Sequence, residues 1–421
     1  MFRLRKFFNK NYYTLLLLVI LLFAVITKSW QLYYPNEYVF DEVYAGFTAE
    51  QYAAGNNKAW VWDYPAPEGF AYNWDHPPLG RIIVSLPIRL LGQSSFSRRL
   101  APMIAGVLLS FVVFKLSELL FPKNKFIPLV AAFLVACDGL VLTLSRIALV
   151  DSLLTLFITT SIYFLLKKKF FVSALFWGAA SACKWTGVFV LAYVFVFFIL
   201  HTKWSRDPKA ILINILKLYK HMILYIAAGF VVYAFSFSFV FWHYGFDKII
   251  ELHQQMYWYH SHLVATHPSQ SPAISWPLDL KPVWFWVNYQ QDTIANIYAF
   301  GHPLIFWCGF VAVFFTFFLA IITRHKNLWF LLLAYPTAWL QWIDSPRIMF
   351  LYHYLPAVPI MCIILAFTLW FIWYHNAVLK AFVYFFLISV FITFWYFYPF
   401  WTGIPLSKPN VEQHRWLTTW R

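Results

Sequence analysis

Asp41 and Glu42 stand side by side in the stretch Y-V-F-D-E-V-Y-A-G-F-T-A-E-Q-Y, Tyr38 to Tyr52, just after the first long apolar run of the chain. A carboxylate within hydrogen-bond reach of a hydroxyl can take its proton as a general base. The same doublet can equally be a solvated helix start, where acids suit the positive end of the helix dipole. Four further stretches gather ionisable groups beside apolar runs: N-W-D-H-P-P-L-G-R from Asn73 to Arg81, S-R-I-A-L-V-D-S from Ser145 to Ser152, C-K-W-T-G from Cys183 to Gly187, and S-P-R-I-M-F-L-Y-H-Y-L-P from Ser345 to Pro356. Their arginines could clamp a phosphate through the bidentate guanidinium fork. Each group also has a structural alternative. His76 before two prolines can shape a turn, Arg146 and Asp151 can pair between helix ends, Lys184 beside Trp185 can anchor at an interface, and Arg347 and His353 can be edge residues. Ionisable groups near membrane depth usually mark a pathway or a site, so what matters is whether the chain brings these stretches together.

The elements that must position them are membrane spans. Of the 421 residues 62% are hydrophobic and 23% aromatic, and only 12% are charged; no water-soluble domain needs so much apolar surface, and the chain reads as a polytopic membrane protein. With about 20 apolar residues needed per crossing, eleven spans are predicted: 12–29, 100–121, 126–144, 147–166, 170–183, 186–201, 219–242, 302–322, 327–342, 354–374 and 380–400. An odd count with Arg3, Arg5, Lys6 and Lys10 on the cytoplasmic side sends the C-terminus outside. The predicted inner loops are short, dense in Lys and almost free of acids, Glu118 and Asp207 excepted, as the positive-inside rule requires. Two long outer segments follow, 31–99 in an N-terminal half (1–242) and 243–300 in a C-terminal half (243–421). Helical spacing at Asp41–Ala54 and Gly80–Leu91 predicts interfacial helices in the first, the second begun by Pro77-Pro78. All five polar stretches then fall at the outer face, around a cavity opening outward.

Composition excludes other classes. The net charge of +15 is spread between spans rather than over a soluble basic face, which argues against nucleic acid. The N-terminal run is long enough to span and lacks a small-residue cleavage site before Trp30, so it is expected to be a retained anchor. Cys137, Cys183, Cys308 and Cys362 lie far apart and fit small core residues rather than disulfides or metal ligands. His260, His262 and His267 sit in a loop without nearby carboxylates in sequence, and no metal site or other cofactor is expected. A transporter of lipid-linked sugars would show repeated halves and midplane polar groups; here the polar motifs gather at one face.

Taken in order, the motifs resemble those of the protein O-mannosyltransferases, membrane glycosyltransferases of the GT-C class. The resemblance runs through F-D-E (Phe40–Glu42), D-H-P-P-L-G (Asp75–Gly80), Cys137-Asp138 with S-R-I-A-L-V-D-S (Ser145–Ser152), and C-K-W-T-G (Cys183–Gly187). It continues through H-P-S-Q-S-P-A-I-S-W-P-L (His267–Leu278) with K-P-V-W (Lys281–Trp284), I-Y-A-F-G-H-P (Ile297–Pro303), and R-I-M-F-L-Y-H-Y-L-P (Arg347–Pro356). Two positions depart from the family pattern: Arg81 stands where the family has Lys, and His302 where it has Asn. The second outer segment is too short for the soluble insertion of the eukaryotic enzymes, so the chain is similar to the compact bacterial form.

The resemblance implies an all-α GT-C fold in the plasma (inner) membrane with an extracytoplasmic site. It also implies transfer of mannose from a polyprenyl phosphate to Ser/Thr hydroxyls of an exported polypeptide. A phosphate leaving group needs no proton, so one base and one clamp suffice. The resemblance makes Asp41 the base, with Glu42 orienting the acceptor or the basic residues of the pocket. Arg146 is then the first candidate for the phosphate clamp and Arg347 the second, with His76, Asp151, Lys184 and His353 lining the donor site. A GT-C enzyme moving a pentose or aminosugar to lipid A or a cell-wall glycan would share the base and clamp and differ in its acceptor groove.

Overall fold

The computed structural model describes residues 2–202, 204–345 and 347–420, with side chains from residue 11 onward. Arg3, Arg5, Lys6 and Lys10, placed above on the cytoplasmic side, lie outside the side chains so described. The chain opens with α1 (Phe2–Ser29). A 3-10 turn at Phe40–Val43 leads into α2 (Ala45–Ala53), followed by α3 (Leu79–Leu91) and α4 (Ser95–Leu120). Next come α5 (Phe126–Cys137), α6 (Gly139–Ser145), α7 (Asp151–Leu166) and α8 (Phe170–Cys183). A 3-10 stretch at Trp185–Val190 precedes α9 (Leu191–His201), α10 (Pro208–Ser236), α11 (Ser238–Tyr244) and α12 (Phe246–His262). Two strands, β1 (Val283–Tyr289) and β2 (Thr293–Ala299), separate these from α13 (Pro303–Thr323) and α14 (Lys326–Thr337). A 3-10 stretch at Leu351–Ala357 feeds α15 (Val358–His375), and α16 (Ala377–Thr402), β3 (Leu406–Ser407) and α17 (Lys408–Gln413) close the chain.

Helix occupies each of the eleven predicted spans. Six helices are long and apolar enough to cross a membrane, and α5 with α6 adds a seventh if that bent pair is one span. The helices α7, α8 and α14 and the stretch Trp185–His201 fall short of the 20 residues or so that a crossing needs, so length and composition do not by themselves reach eleven crossings. The first outer segment carries α2 and α3 where helical spacing placed them, and Pro78 directly precedes α3. The fold was expected to be all-α; instead β1 and β2 of the second outer segment, with β3 from near the C-terminus, form an antiparallel sheet. Val283-Trp-Phe-Trp-Val-Asn-Tyr289 is a run of β-branched and aromatic residues suited to a pleated surface.

The predicted span 126–144 breaks at Asp138, where α5 and α6 meet at 58°. One Asp138 carboxylate oxygen accepts the Val141 N–H at 2.9 Å and so caps α6, and the other accepts the His302 N–H at 3.1 Å. Between α8 and α10 the backbones nearly touch, and a Cβ on Gly178 would lie 2.1 Å from the Gly229 carbonyl oxygen.

Arg146 is buried and lines neither of the two cavities described below. Its guanidinium donates to the carbonyls of Lys28 (3.0 Å), in the last turn of α1, and of Trp30 (2.7 Å) and Gln31 (3.2 Å), just beyond it. Carbonyls left over at a helix end need donors, and a buried guanidinium satisfies several at once. Arg146 is therefore a clasp on α1 rather than the phosphate clamp expected from the sequence.

Two predictions follow from this packing. Gly178→Ala should lower the melting temperature in detergent by the few degrees that about 1–3 kcal/mol of overpacking implies; an unchanged melt would mean that α8 and α10 separate freely. Arg146→Ala should also cost about 1–3 kcal/mol by orphaning buried carbonyls, while the folded remainder keeps its KM for a lipid donor. An unaltered melt with a raised donor KM would return Arg146 to the clamp.

Candidate active site

The 3-10 turn carrying Asp41 is fixed from behind by its neighbour. Glu42 is fully buried. Its two oxygens accept from Arg99 Nε at 2.9 Å and Nη2 at 2.8 Å, from the Val39 N–H at 2.9 Å and from the Ala148 N–H at 2.7 Å. Burial alone would raise its pKa, but the Arg99 charge and hydrogen bonds, with help from Arg98 and the Ala148 amide, hold it below the usual carboxylate range. With every oxygen so engaged, Glu42 touches no open space. The expectation that it orients an acceptor or the basic residues of a pocket is not met: it secures the turn to α4 and to the segment before α7.

Asp41, one residue earlier, faces a polar cavity of about 460 Å³. Asp75, Asp151, Lys184, Arg347, Tyr352 and His353 share that cavity with it. Burial raises the Asp41 pKa to about 7; Lys184 opposes the rise, the charges of Asp75 and Asp151 add to it, and a Tyr352 hydrogen bond opposes it. Asp151 opens α7 and pairs with Lys184 Nζ at 3.1 Å across the end of α8. It is therefore Lys184, and not Arg146, that meets Asp151.

A second, apolar cavity of about 640 Å³ adjoins the first, walled by Trp177 and Gly178 of α8, Phe189, Ile226 and Phe230 of α10, and Trp342. His76, Lys184, Arg347 and His353 line both cavities and mark their junction. The structure thus gathers six sequence-predicted site residues, Asp41, His76, Asp151, Lys184, Arg347 and His353, and leaves Glu42 and Arg146 outside.

The loop that presents His76 is tied by Arg81, which donates to the Asn73 side-chain oxygen at 2.7 Å, to the Asn73 carbonyl and to the His76 carbonyl. A guanidinium fork can hold both ends of this loop at once; a lysine ammonium is a point charge without that fork. Sequence reasoning missed His260, set aside as incidental. It stacks on His76 with ring centroids 5.2 Å apart, donates from Nε2 to the Asp75 carbonyl at 2.8 Å and accepts from Arg347 at Nδ1. Only the fold reveals this, because Asp75 and His260 lie 185 residues apart. Tyr352 was quoted within its motif, but nothing in its spacing assigned it to Asp41.

The architecture and the sequence have known counterparts. The family described as "Dolichyl-phosphate-mannose-protein mannosyltransferase" matches residues 18–245, and the "C-terminal four TMM region of protein-O-mannosyltransferase" matches residues 245–420. A polyprenol-phosphate-mannose–protein mannosyltransferase of Mycobacterium tuberculosis is 22% identical over 82% of this chain and 81% of its own length. Among solved structures, the Saccharomyces cerevisiae Pmt1–Pmt2 complex bound to the sugar donor superposes with a TM-score of 0.81 at 15% identity, covering 97% of this chain and 93% of that one. ArnT of Cupriavidus metallidurans superposes with a TM-score of 0.58 at 13% identity, covering 86% and 60%. These likenesses give the fold as GT-C, and the two consecutive family matches span nearly the whole sequence. The chain belongs to the dolichyl-phosphate-mannose-protein mannosyltransferase family of membrane glycosyltransferases.

Proposed function

We propose that the protein transfers mannose from a polyprenyl phosphate to Ser or Thr hydroxyls of exported polypeptides, with inversion, at the extracytoplasmic face of the membrane. The observation that carries this reading is the meeting of an apolar cavity and a polar one at His76, Lys184, Arg347 and His353. A lipid phosphosugar has the same division: a hydrocarbon tail, an anion, and a polar sugar beyond it. The first prenyl units occupy the apolar cavity, the phosphate rests against Lys184 and Arg347, and the sugar enters the polar cavity beside Asp41.

The reaction needs one proton transfer. Asp41 accepts the acceptor hydroxyl proton as that oxygen bonds to C1 of the sugar from the face opposite the phosphate. The bond from C1 to the phosphate oxygen breaks with its electron pair on the phosphate, which Lys184 and Arg347 stabilise. Asp151 holds Lys184 in place and Glu42 holds the turn that aims Asp41. The names of the curated relatives, which specify a polyprenol-phosphate-mannose donor and a protein acceptor, support the choice of sugar and acceptor.

The direct test incubates the purified chain with polyprenyl phosphate mannose and a Ser/Thr-rich peptide and reads the peptide mass. Mannosylated peptide is expected. Sugar appearing only on a lipid or glycan acceptor would sink the protein-directed reading. Asp41→Asn should lower kcat by roughly 10²–10⁴-fold, the usual worth of a general base, with donor binding retained; wild-type turnover would remove Asp41 from that role.

Because the base works ionised and its pKa lies at about 7, kcat/KM should fall as pH drops through 7 and level off above it. A profile flat from pH 5 to 8 would contradict the assignment. Arg347→Ala should raise the donor KM roughly ten- to hundredfold, as losing a charge-assisted hydrogen bond does. An unaltered KM would leave Lys184 as the sole cationic partner of the phosphate.

A further inference from the structure

At the rim of the junction, Asp75, His76 and His260 each offer a ligand atom, and these atoms lie within 4.8 Å of one another. His76 makes no hydrogen bond through either ring nitrogen among the described residues: its Nδ1 is buried without a partner and its Nε2 stops 3.7 Å from Asp75 Oδ2. A buried ring nitrogen without a partner is costly and calls for an explanation. The tautomer of His260 is fixed by its neighbours. A guanidinium only donates, so Nδ1 accepts from Arg347 and Nε2 carries the proton given to the Asp75 carbonyl. Asp75 engages one carboxylate oxygen with Asn73 and leaves Oδ2 turned toward His76.

We propose that Asp75, His76 and His260 bind one divalent transition-metal cation, zinc foremost, at the junction of the two cavities. Two imidazoles and one carboxylate form a donor set suited to zinc, whereas magnesium and calcium favour oxygen ligands. Three protein ligands leave a fourth position open. That position faces the junction, because His76 and His260 line the apolar cavity and His76 and Asp75 the polar one. The charge balance favours a cation: the carboxylates of Asp41, Asp75 and Asp151 outnumber the cations Lys184 and Arg347 around the polar cavity. Coordination through His260 Nδ1 also takes that lone pair from Arg347 and frees the guanidinium. An oxygen of the donor phosphate is the ligand that fits the fourth position. This last step rests on the donor site proposed above, whereas the metal site itself does not.

The test strips the purified full-length protein with a chelator, reloads it with zinc or cobalt, and removes the excess. One equivalent of zinc should remain, the cobalt form should absorb in the visible range, and zinc-edge X-ray absorption should show two imidazoles. Asp75→Asn and His260→Ala should each weaken zinc binding at least tenfold, while His262→Ala, an exposed imidazole outside the group, should not. Zinc should lower the KM for polyprenyl phosphate mannose severalfold in the wild type. Less than a stoichiometric amount retained by the wild type, or fewer than two imidazoles at the zinc edge, overturns the site whatever the variants do. Zinc bound with no effect on donor KM overturns the phosphate contact alone. Mannosyl transfer to peptide without zinc binding leaves the proposed function standing and removes the metal.

Discussion

The site depends on a carboxylate that is fully buried and touches no open space. Glu42 is closed off from solvent, yet it stays ionised because Arg99 forks onto both its oxygens and two amides complete its shell. An ion taken out of water costs several kcal/mol unless it is so enclosed. Here the enclosure joins three separate parts of the chain: the 3-10 turn, α4 and the segment entering α7. Successive residues project in different directions, so fixing Glu42 on one side of the turn leaves Asp41 on the other, facing the cavity. The adjacency of the two acids therefore divides the work, one anchored and one facing open space.

That division also accounts for the electrostatics of the cavity. Glu42 is matched by cations within hydrogen-bond distance and is held low. Asp41 shares its cavity with two more carboxylates and only two cations, and burial moves its pKa to about 7. Two neighbouring carboxyl groups of the same chemistry are thus separated in pKa by environment alone, the arrangement by which proteins distinguish a structural acid from a titrating one.

Much of this was legible in the sequence. Apolar runs located the helices, Pro78 marked the start of α3, and the polar stretches that converge are the ones whose ionisable residues stood out against apolar neighbours. What escaped was partner choice. Arg146 and Arg347 look alike in sequence, each beside an apolar run, but one is spent on the carbonyls at the end of α1 and the other lies at the junction against His260. Local spacing cannot tell them apart, because the partners of Arg146 lie more than a hundred residues away. Arg99 lies 57 residues from Glu42, and Asp75 lies 185 from His260. The break at Asp138 was hidden in a long apolar run, since a capping aspartate inside a span is visible only when the amides that donate to it are placed. The antiparallel sheet was missed because β1 and β2 lie in the outer segment 243–300, for which no elements were predicted.

The wall of the apolar cavity bears on how a hydrophobic chain would be handled. Ile226 and Phe230 of α10 and Phe189 beside it line the cavity and are 41%, 58% and 45% exposed, so the chamber is an open cleft rather than a sealed pouch. Lipid is the solvent on that side. A tail longer than the cleft would run on into the surrounding acyl chains at no penalty, and the protein would grip only the segment nearest the phosphate. Such a clamp has no means of counting isoprene units; it would accept long and short carriers alike and leave any length preference to the enzymes that synthesise them.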